Sequence, residues 1–196
     1  MEHIVESIIR LDHNLFFIIN GAHYPFLDPV MKIFSDIPVW IPLYLLIAGG
    51  FFIVLPWKKA LVAIGGILLT FLLTDQISSS LIKEWAQRIR PCHVPEWEGR
   101  IHLLEGKGGL YSFVSSHAAN VFGLAAFTSF VYRKKWYALL LFAWAFLVAY
   151  SRIYVGKHFP ADVICGALIG MLLGWIVYKI YALIILKMGK HALPDR

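Results

Sequence analysis

An all-α bundle embedded in a membrane is the fold this sequence predicts, and three observations carry the prediction. Of its 196 residues, 59% are apolar and only 15% are charged, against about 45–50% and about a quarter in soluble domains. Mean hydropathy is +0.69. The apolar residues also gather into five runs near the ~20 residues that a bilayer crossing needs. A water-soluble fold is excluded by the same figures, because too little polar surface remains to cover so much apolar mass.

Each element follows in order. Val5, Ile8, Ile9, Leu15, Phe16 and Ile19 recur at helical spacing, with Glu6 and Arg10 on another face. That pattern predicts an amphipathic helix lying at the membrane surface. Asp12 interrupts the stripe and is expected in solvent. Glu2, Glu6, Arg10 and Asp12 together argue against a cleaved signal. Asn20-Gly21 ends the segment, and a short helix from Asp28 to Phe34 follows, so residues 1–36 form an interfacial region. Residues 37–190 form the transmembrane bundle, of about five spans.

Ile37 to Trp57 is the first span, 21 residues without a charge. Ala60 to Ile82 is the second, interrupted only by Asp75. Tyr111 to Tyr132, Trp136 to Tyr150 and Pro160 to Leu186 complete the set. A polar loop joins the second span to the third, and a short turn, Ser151 to His158, joins the fourth to the fifth. Gly166, Gly170 and Gly174 place a small residue every fourth position on one face of the last span. Such a stripe admits close backbone approach, here read as packing within one chain. Cys92 and Cys165 are too few for a disulfide framework and are read as free thiols.

Charge then sets the topology. The formal net charge is +6, from 18 basic and 12 acidic residues. With five spans, one side collects Lys58, Lys59, Arg133, Lys134, Lys135, Lys179, Lys187, Lys190 and Arg196, nine basic residues against the single acid Asp195. The other side holds nine basic residues against eleven acids. Basic residues collect on the cytoplasmic side, so the polar loop and the 151–158 turn face outward. The basic excess is a topology signal, and nucleic acid is not an expected partner.

Charged groups at or inside spans are expensive and therefore candidates for function. On the outer side, Lys83, Arg88 and Arg90 stand at the end of the second span. Ser115, Ser116 and His117 open the third. Arg152 and His158 flank the short turn, and Asp162 lies one helical turn after His158. Cations and helix N-terminal N–H groups bind phosphate. A His held by a carboxylate has a fixed tautomer and a free nitrogen for attack, and a second His can protonate a leaving group. No further carboxylate or Cys stands at metal-ligand spacing from His158 and Asp162. The residues read as a metal-free phosphatase without a cofactor.

Three motifs resemble those of the type 2 phosphatidic acid phosphatase superfamily, which also includes vanadium haloperoxidases and bacterial acid phosphatases. Lys83, six residues, then Arg90-Pro91 is similar to the first. Val114-Ser115-Ser116-His117 is similar to the second, usually Pro-Ser-Gly-His. Ser151-Arg152, five residues, His158, three residues and Asp162 is similar to the third. The resemblance covers roughly residues 75 to 175. It implies that His158 attacks phosphorus to form a phosphohistidine, that Asp162 orients His158, and that His117 protonates the leaving oxygen and then activates water. It implies a phosphate cradle of Lys83, Arg90, Arg152, the Ser115 hydroxyl and the backbone N–H groups at 115–117. Val114 and Ser116 depart from the motif. Ser116 either adds a hydroxyl to the cradle or caps the third span.

Other polar residues have blander expectations. Arg88 is read as facing solvent or headgroups, Lys157 as an exposed loop lysine, and His93 and His102 as solvated. Asp75 either pairs with a site cation or makes a structural hydrogen bond within the bundle. The function expected from the whole is a lipid phosphatase of a bacterial inner membrane, acting at the outer face on a substrate whose tail stays in the bilayer. Candidate substrates are undecaprenyl diphosphate, lipid A phosphate, phosphatidylglycerol phosphate and phosphatidic acid. A phosphotransferase using the same phosphohistidine and a non-catalytic transporter of anionic lipid are the alternative readings.

Overall fold

Asp12, Phe16 and Asn20 recur every fourth residue and so share one face of a helix. In the computed structural model, which describes residues 2–190, that face of α1 (Glu2–Gly21) is the buried one. Ile4, Ile8, Leu11 and Ile18 are exposed on the rest of the helix. Most of the apolar stripe therefore faces outward, while Phe16 and Asp12, the latter expected in solvent, turn into the protein. A segment joins α1 to α2 (Leu27–Ser35), and a 3₁₀ turn, Ile37–Trp40, leads on to α3 (Ile41–Val54).

Helix α4 (Trp57–Asp75) passes without a break into a π-helical stretch, Gln76–Ile82, and then into α5 (Lys83–Ala86). Gln87, at φ 45°, ends this long element in the left-handed conformation. The remaining helices are α6 (Ser116–Tyr132), α7 (Lys135–Tyr154) and α8 (Pro160–Lys190). Among the described residues, four stretches are long and apolar enough to cross a membrane, Ile37–Val54, Trp57–Ala86, Lys135–Tyr154 and Pro160–Met188. The other expected span corresponds to α6, whose 17 residues run about 26 Å at 1.5 Å per residue. Large apolar side chains such as Leu45, Leu46, Ile53, Leu72, Leu139 and Leu168 stand exposed around the bundle. In water so much apolar surface would drive association; in a bilayer it meets hydrocarbon. Asp195 and Arg196, counted for topology above, lie outside the described residues.

The centre of the bundle is α6, packed between α4, α7 and α8. Its partnership with α8 depends on the three glycines. A Cβ at Gly166 would stand 2.5 Å from the Ser115 carbonyl oxygen, and Cβ atoms at Gly170 and Gly174 would run into the carbonyls of Ala119 and Gly123. The stripe thus packs within one chain, as expected. Toward the opposite end, Phe127 fills the space over Gly66, and the Tyr132 hydroxyl donates to the Ile47 carbonyl at 2.7 Å.

Two boundaries differ from expectation. The third span begins at Ser116, not Tyr111. Residues 110–112 instead pair with the strand-like stretch 88–90: Ile89 and Tyr111 form an antiparallel bridge, Ser112 N donates to Arg88 O at 2.7 Å, and Arg90 N donates to Leu110 O at 3.0 Å. Tyr111, Phe113 and Val114 made the segment look like membrane helix, since hydropathy does not distinguish a buried loop from a span. Helix α7 also runs on to Tyr154, so Ser151 and Arg152 lie in its last turn rather than in the connecting turn. That turn relies on Gly156, at φ 81°, where a Cβ would press on Ile101 at 2.8 Å.

Candidate active site

The residues singled out for chemistry lie at one end of the bundle. Lys83 stands in α5, Ser116 and His117 in the first turn of α6, Arg152 in the last turn of α7, and Asp162 in the first turn of α8. Arg90 comes from the extended stretch and His158 from the turn before α8. The two loops are tied to one another: Ser115 N donates to the Asp162 carbonyl at 2.9 Å, and His158 N donates to the Arg152 carbonyl at 3.2 Å.

His158 is 1% exposed and Asp162 fully buried. His158 Nδ1 stands 3.6 Å from Asp162 Oδ2 and has no hydrogen-bond partner. The carboxylate is held by two other donors, Arg88 Nη1 on Oδ1 at 2.8 Å and Phe159 N on Oδ2 at 2.8 Å. Burial, and after it the charges of Arg90, Arg152 and Lys83, push the His158 pKa well below the ordinary 6.5. The imidazole is therefore neutral, with an unprotonated ring nitrogen, at pH 7. Arg90, Arg152, Lys83 and His158 bear electrostatically on His117 as well, so the two histidines and three cations share one neighbourhood.

The cations are held by specific contacts. Lys83 Nζ donates to Ser116 Oγ at 2.8 Å, and Ser79 Oγ lies 2.9 Å from the same hydroxyl. Ser79 in turn donates to Asp75 Oδ1 at 3.2 Å. Asp75 thus makes its hydrogen bond within the bundle and reaches Lys83 only through two serines. Arg90 Nε donates to the Tyr111 carbonyl at 3.0 Å. Arg152, 4% exposed, donates to the Ser35 hydroxyl and approaches Glu105 Oε2 at 3.4 Å, while its buried Nε has no protein partner.

His117 and Arg152 line a cavity of about 670 Å³ that is walled by α2, the turn after it and Glu105. A second, more enclosed and mostly apolar cavity of about 290 Å³ lies among Trp40, Tyr44, Phe71, Val121 and Val148. Ser35, Ile37 and His117 border both. His117 therefore sits where a chamber carrying charged groups meets one lined with rings and aliphatic chains, an arrangement suited to an amphiphile.

A family model described as the PAP2 superfamily matches residues 64–185. The chain belongs to the PAP2 superfamily. Among curated relatives, the lipid A 4'-phosphatase of Porphyromonas gingivalis is 38% identical over 178 residues, covering 90% of this chain and 75% of that protein. The lipid A 4'-phosphatase of Bacteroides thetaiotaomicron is 37% identical over 182 residues, covering 90% and 79%. Among solved structures, that of Aquifex aeolicus LpxE superposes with a TM-score of 0.66 at 32% identity, covering 86% of this chain and 95% of that one.

Several expectations for this PAP2 chain need correction. Ser115, not Ser116, caps α6, its hydroxyl accepting from Ala118 N at 3.4 Å. Ser116 Oγ instead receives Lys83. The Ser115 N–H is committed to the Asp162 carbonyl, so the N–H groups at 116 and 117 are the ones left for an anion. Lys157, expected in solvent, is 5% exposed and donates to the Gly106 carbonyl. His93 Nε2 lies 3.2 Å from Gly108 O in an exposed setting. His102 is not solvated, since its Nε2 meets Asp28 Oδ1 at 3.0 Å. Ser35, Ser79, Glu105, Asp12 and Arg88 join the surroundings of the site without having been expected there. Only Arg88 carried a usable signal. Once the helix breaks at Gln87 the backbone is extended, and residues two apart share a side, so Arg88 follows Arg90 inward.

Proposed function

We propose that this chain is a lipid phosphatase that removes a phosphate group through a phosphohistidine at His158, at the outer face of a bacterial inner membrane. The observation that carries the reading is a buried, neutral His158 beside Asp162, in a setting charged by Lys83, Arg90 and Arg152.

Phosphate oxygens would be held by Lys83, Arg90, Arg152 through its unpartnered Nε, the Ser115 and Ser116 hydroxyls, and the orphan N–H groups at the start of α6. Nε2 of His158 forms a bond to phosphorus as the bond to the leaving oxygen breaks, with the Nδ1 proton directed to Asp162. His117 gives its proton to that oxygen. Water then adds its oxygen to phosphorus, its proton passes to His117, the N–P bond breaks, and inorganic phosphate leaves. Stabilising charge on the three equatorial oxygens is most of the work in such transfers. Over the cycle, the proton that His117 gives to the leaving oxygen is replaced by the one it takes from water, and the electron pair of the N–P bond returns to Nε2 of His158.

A lipid A phosphate is the favoured substrate, supported by the names of the two relatives aligned over nine-tenths of this chain. The two cavities meeting at His117 suit a charged headgroup and an apolar chain. The charge asymmetry of the connections supports the outward orientation.

The test is phosphate release by purified protein from a panel of lipid A phosphates, undecaprenyl diphosphate, phosphatidylglycerol phosphate and phosphatidic acid, with and without chelator. The expected result is fastest release from lipid A, into inorganic phosphate rather than another lipid, unchanged by chelator. Full activity of His158→Ala, or failure to trap acid-labile phosphoprotein from labelled substrate, would overturn the nucleophile assignment. Loss of activity in chelator would overturn the metal-free mechanism.

A further inference from the structure

Asp12 and Arg88 have no place in the mechanism above, yet both are tied to it. Asp12 is 7% exposed, deep for an acid on a helix with a largely apolar exterior. Its Oδ2 receives Arg88 Nη2 at 2.5 Å, and its Oδ1 receives Ala161 N, in the first turn of α8, at 2.8 Å. The other arm of the same guanidinium, Nη1, binds Asp162 Oδ1 at 2.8 Å. One planar, rigid fork therefore joins a carboxylate of α1 to the carboxylate beside His158.

The guanidinium also lies 4.0 Å from the centre of the Phe159 ring. Phe159 follows His158 directly and is enclosed by rings from α1 and the outer loop: His13 stacks on it at 4.9 Å, Phe16 meets it at 5.5 Å and Trp97 at 5.8 Å. The Asp162 carboxylate, through Arg88, and the ring that follows His158 are thus both held in place from α1.

We propose that Asp12 and Arg88 are positioning residues: α1 holds Arg88 through Asp12, and Arg88 fixes the rotation of the Asp162 carboxylate so that Oδ2 faces His158 Nδ1. The proposal rests on His158 being the nucleophile. Phe159 N on Oδ2 alone would leave the Asp162 carboxylate free to rotate; Arg88 on Oδ1 is the second donor and removes that freedom. Without Asp12, Arg88 keeps Asp162 and the Phe159 ring but loses the anion that fixes its second arm, and the guanidinium can turn toward solvent or an incoming phosphate. Outer partners that orient the ligands of a metal change affinity or activity by about 10–100-fold when removed, and an effect of that size is expected for this carboxylate.

The two roles of Asp12 separate cleanly by substitution. Asp12→Asn keeps an oxygen for Ala161 N and removes the charge facing Arg88. Asp12→Ala removes both. The experiment measures kcat, KM and thermal unfolding in detergent for Asp12→Asn, Asp12→Ala, Arg88→Ala, Arg88→Lys and the double variant Asp12→Asn/Arg88→Ala, with His158→Ala alongside. The expected result is a fall in kcat of about 10-fold in Asp12→Asn and about 100-fold in Arg88→Ala. KM should stay within about twofold and Tm near that of the unmodified protein, because the lost interaction acts in the transition state. Arg88→Lys should restore part of the loss. The double variant should be no slower than Arg88→Ala, since residues acting through one another are not additive. Unchanged kcat in Asp12→Asn with a lowered Tm in Asp12→Ala would overturn the proposal in favour of a helix cap. Multiplying losses in the double variant would overturn the relay. Activity surviving in His158→Ala would instead remove the nucleophile reading on which the proposal stands.

Discussion

Helices α1 and α8 are both packed against the rest of this protein, but by opposite means. Helix α8 approaches α6 through Gly166, Gly170 and Gly174, so close that a methyl group at any of the three would meet a backbone carbonyl. Nothing in that seam is directed by charge. Helix α1 presents Asp12, Phe16 and Asn20. Asn20 donates to the carbonyls of His102 and Tyr154 at 2.9 and 2.8 Å and accepts from His102 N at 2.9 Å. The glycine seam sets a distance, through dispersion between closely packed surfaces. The polar face sets a register, because each hydrogen bond forms only where its donor and acceptor meet in one orientation. Deep in the bundle a short distance suffices. At the end that carries the reacting groups, the chain uses bonds with direction.

That contrast can be broken from either side. The largest effect is expected in the seam: Gly170→Leu has no room and should cost more than about 3 kcal/mol, leaving little folded protein by size-exclusion chromatography. Asn20→Ala removes all three directed bonds and strands two carbonyls and an N–H; about 2–3 kcal/mol is expected, read as a lowered Tm in detergent. Recovery of full-strength folding by Gly170→Leu would show the seam to be adjustable after all. Tolerance of Asn20→Ala would reduce the polar face to packing by Phe16.

A smaller, pH-dependent effect belongs to the polar end. The folded-state pKa of His158 lies below its unfolded value of 6.5, so below that pH the unfolded chain binds the additional proton. This contribution to stability is constant above pH 6.5 and declines as pH falls from there toward the folded-state pKa. Thermal unfolding between pH 7.5 and 5 should therefore show a loss that His158→Gln diminishes. The acid limb of kcat/KM assigned to this group should likewise fall well below pH 6.5. The smallest effect is expected on the outer wall: Ile53, 87% exposed on α3, should tolerate Ala within about 0.5 kcal/mol.

Much of this architecture was legible in the chain. Uninterrupted apolar runs located α3, α4, α7 and α8 because a bilayer imposes length and composition together. The glycines of α8 announced a close contact by their four-residue spacing. Lys83, Arg90, His117, Arg152, His158 and Asp162 stood out because ionisable groups at span ends are rare enough to be informative. Asp12 did not, because its partner Arg88 is 76 residues away and its burial depends on the bundle closing around it. For Tyr111 to Ser115, apolar composition suggested helix, whereas hydrogen bonds to residues 88–90 made it a loop. Lys157 looked like an ordinary turn lysine, and only the fold brings the Gly106 carbonyl to it.

The π-helical stretch Gln76–Ile82 also has a consequence for how this chain tolerates insertion and deletion. A wide turn of this kind accommodates what amounts to one surplus residue within an α-helix. Removing a residue from regular α-helix turns everything beyond it by about 100°, whereas removing one from this wide turn lets it close to α geometry and leaves the residues beyond it nearly in phase. Lys83 should therefore stay near Ser116 after a deletion within Gln76–Ile82 and swing away from it after one earlier in α4, although no catalytic side chain is altered in either case. The stretch thus buffers length just ahead of Lys83. A family of single-residue deletions and insertions walked from Leu61 to Ile82 would chart where the element stops steering and begins to absorb slack.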